Sequence, residues 1–219
     1  MGTKRWFLVF PLVVTFLFIF SFSPCMANGF SGGGAGTEGD PYNIMTAAQL
    51  DEMRYFYAPG VYFKLGADID LDVAPFNTDK GWEPIGGDSF SGHLDGDYHK
   101  ILNLFIDRPD TDAVGLFAFV TVPGTTIRNL FLENVEIQAR THVGALAGVV
   151  ENSLIENCGM TGSVAGAMAV GGLIGETGNM YILQCFSLGS VNGDRYVGGL
   201  AGFFDISLVQ DSFSRADVE

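Results

Sequence analysis

A chain of 219 residues can bury a sizeable core in one large domain or two small ones. Its formal net charge of −14, from 11 Lys and Arg against 25 Asp and Glu, argues against nucleic acid as a partner, because a phosphate-binding surface needs clustered cations. Thirty glycines interleaved with hydrophobic residues point to many tight turns rather than to a disordered linker.

The first 27 residues read as an export signal. Lys4 and Arg5 form the positive region, and Trp6 to Phe22 is apolar apart from Pro11, Thr15 and Ser21. Cys25-Met26-Ala27 then places small residues at the −3 and −1 positions, so cleavage is expected after Ala27. The rival reading is an uncleaved anchor, since the apolar run is long for a signal core and just short of a full span. Pro24 before Cys25 is a poor fit to a lipid-attachment box. Cleavage would remove two cations and no acids, making the remaining chain more acidic still.

Residues 28–40, "NGFSGGGAGTEGD", read as a flexible lead-in. Gly34, Gly36 and Gly39 match GxGxxG, but no strand precedes them and Pro41 follows, so no dinucleotide site is expected. Residues 41–110 read as an N-terminal cap and first strands. "TAAQLDEMRYF" starts with Thr46, and Gln49 completes a capping box, predicting a short helix with Leu50 and Met53 on one face. "VYFKLGADIDLDV" alternates around Phe63, Leu65, Ile69 and Leu71, which predicts strand. Asp68, Asp70 and Asp72 lack the glycine and glutamate of a calcium loop and read as a solvent-facing strand edge. Pro75 to His99, with Trp82, reads as hairpin-like or irregular.

Residues 111–219 repeat. "VGALAG" at Val143, "VGGLIG" at Val170 and "VGGLAG" at Val197 begin 27 residues apart, and a looser "VGLFAF" at Val114 precedes them by 29. The same step aligns Ile155 with Ile182 and Val209, and Cys158 with Cys185 and Ser212. Units this short cannot bury their own cores and must stack. They are too short for propeller blades and lack a leucine-rich ladder. An all-β parallel β-helix of about 27 residues per coil, with the short helix as an N-terminal cap, is therefore predicted. Gly171 and Gly172 would bend the strand so that Val170 and Leu173 both face the axis, making Phe117, Leu146, Leu173 and Leu200 one interior stack.

Together "DPYNIMTAAQL", "FKLGADIDLD", "GWEPIGGDSFSGHLDGDYHKILNLFI" and the glycine copies resemble bacterial secreted and surface proteins of the GLUG-repeat type, from about Asp40 to Glu219. The resemblance implies export and a right-handed β-helical stalk or binding platform. Some such proteins also carry a zinc peptidase domain, but this chain has no HExxH, and the resemblance transfers no catalytic residue.

Little reactive chemistry is visible. His93, His99 and His142 have no metal-ligand spacing, no serine sits in a G-x-S-x-G elbow, and neither cofactor nor metal is expected. Cys158 and Cys185 would lie one above the other, either as buried stacked thiols or as a strained disulfide. One turn row, Arg140 and His142 with Asp194, Arg195 and Tyr196 two coils on, is a candidate binding patch, though Ala167, Met168 and Ala169 would interrupt a groove there.

The expected function is that of an exported, non-enzymatic scaffold, adhesin or glycan-binding module at the cell surface. Its partner would be an extracellular glycan or surface protein, and it would meet the membrane only through the N-terminal signal segment. The alternatives are a β-helical polysaccharide-degrading enzyme and the N-terminal stalk of a larger surface protein. The last repeat stops in mid-coil at Glu219, which leads to an expectation of further chain or of end-to-end self-association.

Overall fold

The computed structural model describes residues 29–219. The expected signal segment, 1–27, including Cys25, lies outside the described residues. The chain winds as a parallel β-helix, and every strand pair in the named sheets is parallel. Sheet A has seven strands stacked in chain order: Tyr42–Ile44, Tyr62–Leu65, His93–Asp95, Thr126–Arg128, Leu154–Glu156, Tyr181–Leu183 and Leu208–Gln210. Sheet B has four: Phe117–Val120, Ala147–Glu151, Ile174–Gly178 and Ala201–Asp205. Sheet C closes the third side around the 13-residue strand Phe131–Val143. That strand's first half pairs with Gly159–Ala165 and its second with Met168–Gly171.

Alternation within each short strand aims one residue inward per rung. Phe63, Leu94, Ile127, Ile155, Ile182 and Val209 stand in register along sheet A. The first five are at most 1% exposed, whereas Val209, on the last rung, is 39% exposed. Each buried rung removes an aliphatic or aromatic side chain from water, contributing about 1.5–3 kcal/mol. The last coil also exposes Phe204, Ile206, Leu208 and Phe213.

Val170 and Leu173 are both fully buried, with the bend between them. The glycines there are required by close approach rather than by left-handed backbone. A Cβ on Gly172 would sit 2.3 Å from the Gly199 carbonyl oxygen, and one on Gly171 would sit 2.0 Å from that of Ile174. The left-handed residue of this corner is the one before the valine: His142, Ala169 and Tyr196 have φ of 53°, 54° and 54°.

The N-terminal region departs from expectation in one way. Residues 29–40 are tied down rather than a flexible lead-in. Phe30 is buried against Phe56 and Phe63, and the Asn43 N–H donates to the Gly33 carbonyl. Sheet A runs through both 41–110 and 111–219, and strand Phe105–Val114 crosses that boundary. The helix Ala47–Glu52 is capped by Thr46, whose Oγ1 accepts from Gln49 N–H, and it buries Leu50. Between Pro75 and His99 the chain is irregular until the parallel strand His93–Asp95, and Trp82 is fully buried with its indole N–H on the Leu116 carbonyl at 3.1 Å.

Candidate functional site: the turn row and the sheet A groove

Coil stacking brings the turn row together. Ala167 N–H donates to the Arg140 carbonyl, and the Asp194 and Arg195 N–H groups donate to that of Ala167. Arg140 and Asp194 line one shallow depression of about 310 Å³, and Ala165, Gly166 and Ala167 are among its lining residues rather than an interruption. The charges at one end of the row are nevertheless committed to internal pairs. The Arg140 guanidinium clasps Asp112 on the preceding coil with two hydrogen bonds, and Thr141 Oγ1 donates to the same carboxylate at 2.7 Å. These bonds, the one from Arg140 foremost, lower the Asp112 pKa to about 2. His142 Nε2 lies 2.8 Å from Glu176 Oε2 on the following coil, and its Nδ1 lies 2.9 Å from Thr141 Oγ1. At the other end Arg195 lies over its neighbour Tyr196, which meets Phe203 edge-on. Arg140 and His142 thus staple three coils.

Phe117, Leu146, Leu173 and Leu200 are joined in series by N–H to carbonyl bonds of 2.9 Å. The first three are fully buried, and Leu200, in the last coil, is half-buried. Cys158 and Cys185 are free thiols at 0% exposure. Each Sγ also faces the carbonyl two residues back, at 3.3 and 3.2 Å. Burial pushes the Cys158 thiol well above its ordinary range, so the neutral thiol is the stable form there.

The groove with the most chemistry lies elsewhere, on the outer face of sheet A. It encloses about 430 Å³ between Glu38, Pro41, Tyr62, Lys64, His93, Asp95, Thr126 and Arg128. Because Phe63, Leu94 and Ile127 point inward, their neighbours form two outward columns. One is Tyr62, His93, Thr126, and the other is Lys64, Asp95, Arg128. Tyr62 and His93 stack with ring centroids 4.3 Å apart and planes at 18°. Burial is the main cause lowering the His93 pKa, with a smaller push from Arg128 and an opposing one from Glu38, so its imidazole is neutral at pH 7.

The charged column is internally balanced. Arg128 donates to Asp95 at 2.9 Å, and Lys64 lies 2.8 Å from Asp97. Asn129 and Asp97 N–H also donate to Asp95, and these bonds hold its carboxyl below the usual range against the burial that would raise it. The two rings cover each other face to face, so the groove presents their polar edges beside a rim of fixed donors and acceptors. Sequence reading missed this site because Tyr62, His93 and Thr126 lie before the regular 27-residue repeat. The available signal was Tyr62 and His93, each one residue before an inward-facing side chain.

No family model matches the chain. Over 133 residues it is 40% identical to a protein of Evansella cellulosilytica named "Putative Gly-rich membrane protein", a match covering 57% of this chain and 15% of that protein. Over 142 residues it is 36% identical to "Halomucin" of Haloquadratum walsbyi, covering 61% of this chain and 2% of that protein. Among solved structures it resembles a "putative immunoglobulin A1 protease" from Bacteroides ovatus, with a TM-score of 0.63 and 24% identity over 87% of this chain and 70% of that one. That likeness is one of fold. The chain spans only a small part of the length of either sequence relative.

Proposed function

We propose that the chain is an exported, non-enzymatic β-helical scaffold of the GLUG-repeat type that acts at the cell surface and binds an extracellular glycan through the sheet A groove. The names of the two sequence relatives, a membrane protein and a halomucin, favour a surface setting, as do the signal-like first 27 residues. The observation that carries the binding reading is the Tyr62–His93 stack beside a rim whose charges are already paired. The outward ring edges, with the Tyr62 hydroxyl and the His93 nitrogens, and the fixed polar groups of the rim would take a sugar's hydroxyls. A rigid strand platform presents both without an ordering cost on binding.

A panel of soluble and insoluble polysaccharides incubated with the purified protein tests this. Retention on at least one polysaccharide, lost in Tyr62→Ala, is the expected result. Sustained release of reducing ends would overturn the non-enzymatic reading, and retention unchanged by Tyr62→Ala would remove the groove from it.

A further inference from the structure

The groove does not stop at Arg128. The outer column that begins Tyr62, His93, Thr126 continues in strict register through Leu154 to Tyr181, which is 55% exposed. Beside it the charged column continues from Arg128 to Glu156, so charge alternates along Lys64, Asp95, Arg128 and Glu156. Strands in a sheet repeat at about 4.8 Å, so three steps carry the line about 14 Å from His93 to Tyr181. One sugar ring of an extended glycan is about as long as one such step. A glycan lying along the solenoid axis would therefore meet equivalent positions ring after ring, with Tyr62 and His93 at one end and Tyr181 at the other.

The charge pattern narrows the class of glycan. Both cations of the groove already hold carboxylates, Lys64 with Asp97 and Arg128 with Asp95, and Glu38 adds a further acid at the rim. A uronate chain would face these acids on a protein of net charge −14. Among the described residues, no side-chain hydrogen bond occupies the Tyr62 hydroxyl, the His93 ring nitrogens or the Thr126 hydroxyl. Each can give or take a hydrogen bond from a neutral hydroxyl.

We infer that the ligand is a linear neutral polysaccharide lying parallel to the solenoid axis, with the polar ring edges of Tyr62 and His93 as one hydrogen-bonding subsite and Tyr181 as a second, distal stacking one. The inference rests on the glycan-binding reading and adds to it the ligand's charge, its direction and one binding residue outside the groove.

Calorimetric titration of the purified chain with neutral oligosaccharides tests it, using β-1,4-linked glucan and xylan from disaccharide to hexasaccharide and oligogalacturonides of matched length. Affinity should rise about tenfold or more between neutral disaccharide and hexasaccharide. Tyr181→Ala should abolish that gain while leaving disaccharide affinity unchanged, and Tyr181→Phe should restore it. Tyr62→Ala should weaken both lengths. Tighter binding of oligogalacturonides would overturn the neutral class but keep a glycan site. Equal affinity at all lengths, or no effect of Tyr181→Ala, would overturn the axial line alone. No binding of any oligosaccharide to the folded protein would overturn the glycan reading itself.

Discussion

The side-chain amide of Asn179 donates to that of Asn152 at 2.8 Å across one coil, and both residues occupy left-handed backbone, φ 47° and 52°. Ile206 is the next residue of this column, with φ 43° and 83% of its surface exposed. An asparagine tolerates this conformation, whereas a β-branched residue is strained in it by about 1–2 kcal/mol. Ile206→Asn should relieve that strain and extend the amide ladder. A thermal melt should show a midpoint raised by roughly 2–4 °C, the shift that about 1 kcal/mol produces in a domain of this size. A lowered midpoint would mean that Ile206 makes a compensating contact.

Glycine should matter by place, not by number. Gly172→Ala drives a methyl into the Gly199 carbonyl and should cost roughly 1–3 kcal/mol, as overpacking does. Gly87 has nothing within 4 Å of an added Cβ, so Gly87→Ala should stay within about 0.5 kcal/mol of the parent. Urea unfolding of the two variants side by side checks the contrast.

The cysteines should behave as inert core. With Cys158 and Cys185 fully buried, a water-soluble thiol reagent should leave both unmodified in the folded protein and reach both in denaturant. Mass spectrometry of the labelled peptides reads each site. Rapid native labelling of either would contradict the burial.

Acid should release the Asp112 staple. Its folded pKa of about 2 lies below the ordinary 3.8, so its contribution is present above pH 4 and is lost as pH falls through 2. The pair is half exposed, so its worth is at most about 1 kcal/mol. Asp112→Asn should melt a few degrees lower at pH 7, and the difference should shrink as pH falls toward and below 2. Equal melting temperatures at pH 7 would show that the staple contributes nothing.

The repeat architecture was legible because columns such as Ile155, Ile182 and Val209 keep a fixed step, and parallel pairing needs just that. That Arg140 and Asp194 line one depression was legible for the same reason. What they pair with was not, because Asp112 lies in the looser first copy and Glu176 belongs to another sheet. The corner was misread through its glycines, since nothing in an alanine such as Ala169 advertises a left-handed backbone. The groove was hidden for a different reason. Insertions between Leu65 and His93 and between Asp95 and Thr126 break the period, and only the ladder itself shows that Tyr62, His93 and Thr126 are neighbours.

Stacked coils lean only on the coils beside them, so opening can start at an end and advance rung by rung. In the purified 219-residue chain, the half-exposed Val209 and Leu200 mark a coil where it can begin. Amide exchange should then be fastest from Ala201 onward and slowest around Leu94 and Ile127, which are covered on both sides. The rings of Tyr62 and His93 sit on those slow rungs. Fraying at the far tip would therefore spare Tyr62 and His93 while loosening Tyr181; on the proposed glycan reading, the length of chain held, rather than the grip itself, is the property that heat erodes first.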